Sequence, residues 1–191
     1  MIEATKQRVS MPELRISIMW AALTIVSAAV VLIVSLINYT PWINIVWFAI
    51  PAIGYPANFA MVKRCGIEKG AKTAIDMIRD GIWKVVTIIS IALSLVCILF
   101  NIIGYPKAWL LMFYFAFVVV GFGVAAQGVV LKSYVFGGIF SIIAGFVVIA
   151  LTICNIPLLI VWVLPLYIFC FLLMFIVPAF IIRKKLNAAQ R

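Results

Sequence analysis

Six runs of mostly apolar residues, each about as long as a bilayer-spanning helix, leave this chain little room for anything else: Ser17–Ile37, Pro41–Val62, Val85–Ile103, Ala108–Leu131, Tyr134–Cys154 and Pro157–Ile182. About 20 such residues carry a helix across a hydrocarbon core roughly 30 Å thick. In lipid the backbone must satisfy its own hydrogen bonds, so runs of this length predict helices. The expected fold is all-α: a polytopic membrane protein with six transmembrane helices in a single domain over residues 1–191. Composition agrees, since 68% of the residues are hydrophobic and 10% charged, where a soluble domain is about half apolar and about a quarter charged. The first run is too long for a signal-peptide core and leads into a tight turn rather than a small-residue cleavage site, so it reads as a span.

The charges between these runs give orientation. Lys6, Arg8 and Arg15 precede the first run; Lys63, Arg64, Lys69, Lys72, Arg79 and Lys84 lie between the second and third. Lys132 separates the fourth and fifth, and Arg183, Lys184, Lys185 and Arg191 follow the sixth; Lys107 alone lies on the other side. All five acids, Glu3, Glu13, Glu68, Asp76 and Asp80, share the basic side. By the positive-inside rule both termini are cytoplasmic in an inner (plasma) membrane, and the net charge of +10 speaks of orientation, not of nucleic acid. Residues 1–16 form a cytoplasmic amino-terminal segment, 63–84 a cytoplasmic insert and 183–191 a basic tail. The three outer turns, Asn38–Trp42, Gly104–Trp109 and Cys154–Pro157, each combine proline with nearby aromatics. Proline suits a first helical turn, and Trp and Tyr suit the headgroup level. The chain therefore reads as three helical hairpins closed on the outside.

The tetrapeptide Ile-Gly-Tyr-Pro occurs at Ile53–Pro56 and again at Ile103–Pro106. The second copy falls in an outer turn and the first inside the second run, so the positions are not equivalent. The first copy matters for another reason. Ile50–Phe59 holds Pro51, Gly54 and Pro56, and each proline removes a helical hydrogen bond, so a kink or partial unwinding is expected here. A broken helix can form a solute site, with Tyr55 and Asn58 as polar contacts; the preferred reading is a structural kink, because glycine and proline are common in membrane helices.

"WFAIPAIGYP" (Trp47–Pro56), running into a basic stretch and followed by "TAIDMIRDGIWKVV" (Thr73–Val86), resembles an uncharacterised family of small six-helix membrane proteins from Bacteroidota. The resemblance implies the six-helix fold and no particular activity.

In the insert, Ala71, Ala74, Ile75, Ile78, Ile82 and Val85 fall on one helical stripe, with Lys72, Asp76, Arg79, Asp80 and Lys84 opposite. This is an amphipathic cytoplasmic helix between the second and third transmembrane helices, placed in the interface, continuing the third span, or covering a partner. Ser10 and Glu13 fit a capping box below the first span.

The chain has no histidine and no charge well inside a span. Proton relays, ion-coupling carboxylates and buried metal sites usually need such groups, and a serine or cysteine nucleophile lacks its commonest base. No catalytic, cofactor or metal site is expected, and no enzyme. Cys97, Cys154 and Cys170 read as small hydrophobes in apolar spans. Asn101 and Gln127 would be costly facing lipid, so both are expected inside the bundle. Gly121 and Ala125 on the fourth helix, and Gly137, Ser141 and Gly145 on the fifth, form small faces that let two helices approach closely, with a homodimer face as the alternative.

Two functions remain. The first is a non-enzymatic membrane protein acting through contacts, as a regulatory or scaffold subunit for another membrane or cytoplasmic protein. The second is a small permease or channel for an uncharged or apolar solute at the second helix.

Overall fold

The computed structural model describes residues 11–38, 40–65, 74–130, 134–156 and 160–188. Among them there is no β-strand, and six helical stretches are long and apolar enough to cross a membrane: Leu14–Ile37, Trp42–Arg64, Met77–Ile102, Lys107–Val129, Phe136–Ile153 and Val161–Lys184. Each is called a span below. Large apolar side chains such as Phe59, Phe122, Phe146 and Phe180 point outward, a surface that would aggregate in water and is at home in lipid.

Helix α1 (Met11–Ile37) makes the first span. The second begins as a 3₁₀ turn series, Pro41–Phe48, and continues as α2 (Ala49–Cys65). The third is α3 (Ala74–Ile102). The fourth joins a short 3₁₀ segment (Pro106–Trp109), α4 (Leu110–Tyr114), a π segment (Phe115–Val120) and α5 (Gly121–Val130). The fifth is α6 (Phe136–Ile153). The sixth joins α7 (Ile160–Phe171), a second π segment (Leu172–Ile176) and α8 (Val177–Ala188).

Helix α3 selects one of the three placements left open for the insert: residues 74–84 continue the third span without a break. Asp80 lies 3.8 Å from Arg79 Nε. Nothing between Ala74 and Val86 breaks a helix except Gly81, which an exposed helix tolerates at about 1 kcal/mol. The Lys72–Asp76 pair and the cap at Ser10 and Glu13 lie outside the described residues and side chains.

Two of the turns between spans share one geometry. At the end of α3, Tyr105 N donates to Phe100 O (2.8 Å) and Gly104 N to Asn101 O (3.2 Å), with Gly104 at φ +98°. At the end of α6, Ile156 N donates to Leu151 O (2.9 Å) and Asn155 N to Thr152 O (3.0 Å), with Asn155 at φ +55°. Both are Schellman caps, which place glycine or asparagine in the left-handed region and satisfy the last carbonyls. The second Ile-Gly-Tyr-Pro copy is thus a helix stop, whereas Ile53–Pro56 is helical throughout.

Neighbouring spans follow the order second, first, sixth, fifth, fourth, third. The first span buries Leu14, Ala21, Thr24, Ala28 and Val31, a three-and-four spacing whose small members allow close approach. The second and third spans close the two ends of this arc and bury the least surface. Each sends one tryptophan inward. Trp47 meets Tyr167 (5.6 Å between ring centres), Tyr167 stacks on Phe171 (4.7 Å), Phe171 on Phe175 (5.7 Å), and Phe175 meets Trp83 (6.1 Å). Phe113 and Phe117 of the fourth span each meet Tyr167 edge-on at 5.7 Å. This aromatic column fills the bundle's centre.

Candidate functional site

A kink or partial unwinding is expected at Ile50–Phe59 of the second span, and the irregularity lies upstream of it. α2 runs through Pro56, while the departure from α geometry is upstream, in Pro41–Phe48. A proline collides with the carbonyl four residues before it, so Pro51 disturbs the turn at Trp47, not its own. Pro51 follows closely on the 3₁₀ segment, so the α-helical bond that its missing N–H forgoes is the one to Trp47 O. The 3₁₀ segment has a packing consequence: side chains at i and i+3 eclipse in this geometry. That brings Trp47 Nε1 over Asn44 Oδ1, to which it donates at 3.1 Å, and holds the indole in the core. Sequence reasoning did not pair these two residues, although positions i and i+3 are neighbours on a helix.

Gly54 is buried because the Trp20 ring occupies the place of its missing side chain. Tyr55 is exposed and sets its ring edge-on to Trp20 at 5.4 Å. Pro51 is half-buried and Pro56 exposed. Asn58 Oδ1 is buried and has no hydrogen-bond partner among the described residues, a burial that costs about 1–3 kcal/mol.

The small faces meet two different neighbours. A Cβ on Gly121 would lie 3.0 Å from Gly138 O and 3.1 Å from Ser141 Cβ, and one on Gly145 would lie 2.8 Å from Phe117 Cβ. Gly137 instead abuts Leu173 and Met174 of the sixth span, and its neighbour Gly138 meets Ala125. Successive helical residues point 100° apart, so consecutive glycines serve two partners. The contacts of Gly145 and Gly137 fall on π segments, whereas Gly121 and Ala125 lie on α5. Ser141 Oγ donates to Phe117 O at 2.9 Å, giving that carbonyl a partner from outside its own helix. Tyr114 Oη and Thr152 Oγ1 add a second link at 2.6 Å; Thr152 donates to Val148 O, so Tyr114 supplies the proton.

Asn101 and Gln127 separate. Asn101 is half-buried at the end of α3 beside the Schellman turn. Gln127 lies at the opposite end, where its Oε1 accepts from Trp83 Nε1 at 2.8 Å. Gln127 also lines a cleft of about 80 Å³. Leu14 and Ser17 of the first span form one wall; Val124, Gln127 and Gly128 of the fourth form the next. Tyr134 and the sixth-span face Met174, Phe175, Pro178, Ala179 and Ile182 complete it. Tyr55, Asn58 and Asn101 take no part in this lining. Among the described residues no group of three His, Cys, Asp or Glu side chains could hold a metal ion.

The fold thus defines an all-helical bundle with six helices long and apolar enough to span a membrane. No family model, curated protein or solved structure matches the chain.

Proposed function

We infer that the chain is a single-domain, multi-pass protein of the inner (plasma) membrane. It is built of three hairpins with both termini cytoplasmic, belongs with the six-helix Bacteroidota proteins it resembles, and works through contacts as a non-enzymatic regulatory or scaffold subunit. The observation that carries this reading is the aromatic column. Phe117 and Leu164 are fully buried, and the rings from Trp47 to Trp83 occupy the axis along which a solute would have to pass. Displacing stacked rings forfeits their packing as well as about 0.5–1.5 kcal/mol per pair. A contact surface is also at hand. α3 has 29 residues, about 44 Å at 1.5 Å per residue, and so outruns a core of about 30 Å. Its amino-terminal turns carry the exposed apolar pair Met77 and Ile78 beside Arg79 and Asp80.

A permease remains the second reading because Asn58 keeps a buried acceptor without a partner. Sealed proteoliposomes separate the two. Urea and glycerol entry, followed by stopped-flow light scattering, is expected to match protein-free vesicles, and protein-dependent entry lost in Asn58→Leu would favour the permease. A photo-crosslinker at Ile78 in native membranes is expected to give one discrete protein adduct; lipid adducts alone would remove the contact surface. Orientation is tested with a thiol at Thr40: labelling from the outside is expected, and labelling only from the cytoplasm refutes it.

A further inference from the structure

The Gln127 cleft lies where three spans end together. Leu14 and Ser17 are in the first turn of the first span, Gln127 and Gly128 in the last turn of the fourth, and Ile182 is two residues from the end of the sixth. Its size selects what it can hold. An apolar cavity of about 150 Å³ takes one benzene ring, so the cleft's volume of about 80 Å³ leaves room for roughly three or four heavy atoms.

The lining narrows the choice further. Trp83 Nε1 donates to Gln127 Oε1 at 2.8 Å, which orients the carboxamide and leaves Nε2 as the end with donors to offer. Nε2 has no hydrogen-bond partner among the described residues, and it is not one of their sealed, unpartnered side-chain atoms, so it stays reachable. An open amide N–H calls for an acceptor oxygen. The sixth-span wall, Met174, Phe175, Pro178, Ala179 and Ile182, offers hydrocarbon and a ring but no side-chain hydrogen bond. Water against that wall would lack the partners that an ordered buried water needs. No charged side chain lines the cleft among the described residues, and an unpaired charge is expensive at membrane depth. The complement of this lining is a molecule with one acceptor end, a hydrocarbon end and no charge.

We propose that this cleft binds one small uncharged molecule bearing a carbonyl oxygen, of the size of a short primary amide, with that oxygen accepting from Gln127 Nε2 and the hydrocarbon end against the sixth-span wall. Two lining residues contact Trp83: Phe175 at 6.1 Å between ring centres, and Gln127 through the bond above. Trp83 does not line the cleft, so its indole N–H reports occupancy from outside the site. The site stands whether the protein acts through contacts or transports a solute, because it uses neither Asn58 nor a path through the aromatic column.

The test titrates the purified full-length chain in detergent, with nitrogen-15 in its tryptophan indoles, against acetamide, acetate and ethylammonium, and follows the indole N–H signals by NMR. The Trp83 signal is identified by its loss in Trp83→Phe. Acetamide is expected to shift that signal saturably at millimolar concentration, the range open to a ligand of about four heavy atoms, and acetate and ethylammonium to bind about tenfold or more weakly. Gln127→Glu keeps an acceptor for Trp83 Nε1 and puts a carboxylate oxygen in the place of the Nε2 donors. It is expected to weaken acetamide about tenfold or more and to prefer ethylammonium, a gain that a misfolded variant would not show. No saturable shift at Trp83, the result for a cleft filled by water alone, overturns the proposal. So does a parent chain that prefers acetate or ethylammonium, which would assign the cleft to an ion, or a preference that Gln127→Glu leaves unchanged.

Discussion

Replacing Gly138 with alanine adds one methyl group where the fourth and fifth spans come closest. The new Cβ would lie 2.6 Å from both Ala125 N and Gly121 O and 2.9 Å from Ala125 Cβ. Two of these atoms belong to the facing backbone, which cannot rotate away as a side chain can. Ordinary contact begins at 3.4 Å, so the helices must separate by about 0.8 Å, and a gap of that order forfeits a quarter to a half of each dispersion well along the contact. Overpacking of this kind costs about 1–3 kcal/mol. Alanine recovers about 0.5–1 kcal/mol of backbone entropy, and because the contact is with backbone the overpacking falls toward the upper end of its range, leaving a net loss of up to about 2.5 kcal/mol. Gly81→Ala is the internal control, because no atom lies within 4 Å of its Cβ position; only the entropic gain should be seen there. Reversible unfolding in mixed micelles, followed by tryptophan fluorescence, should therefore move the two midpoints in opposite directions. If Gly138→Ala is as stable as the parent while Gly81→Ala is stabilised, the two backbones are not in contact and the packing argument fails.

Three further changes isolate other elements. Ser141→Leu should cost more than Gly138→Ala, because it removes the bond to Phe117 O and inserts a branched chain against Gly121; Ser141→Ala should cost only the roughly 0.6 kcal/mol typical of interhelical bonds in membranes. Equal midpoints for the two variants would mean that volume at this face does not matter. Gly104→Ala meets no atom but is held at φ +98°, so the loss of about 1–2 kcal/mol should be conformational strain alone and should be largely absent for Gly104→Asn; equal losses refute the cap. Trp47→Ala should destabilise by about 3–5 kcal/mol, measured by the same unfolding titration, and a loss below about 1 kcal/mol would show that the aromatic column does not depend on its Trp47 end.

The sequence makes the spans legible because apolar length is read one residue at a time and lipid tolerates few alternatives. Gln127 was legible as an inward residue for the same reason, since lipid would penalise its amide. Its partner was not: Trp83 lies 44 residues away on another span, and nothing local in "DGIWK" distinguishes an indole that reaches inward from one that sits in the headgroup belt. The small faces show the same boundary. A glycine pattern states that some backbone comes close, but the choice between Gly137 and Gly138 for the fourth span depends on how far α6 is rotated between its two neighbours. That rotation is set by both π segments at once: Phe117 O must receive Ser141 Oγ while Leu173 fits against Gly137. The π segments themselves leave no mark in "FAFVVV" or "LLMFI", which are ordinary apolar runs. A π turn leaves its carbonyls differently paired from those of an α-helix and so needs a neighbour able to approach or donate. Glycine and serine on α6 meet that need. The signal was therefore present in the sequence but divided between helices: the irregular turns lie on the fourth and sixth spans, and the residues that permit them lie on the fifth.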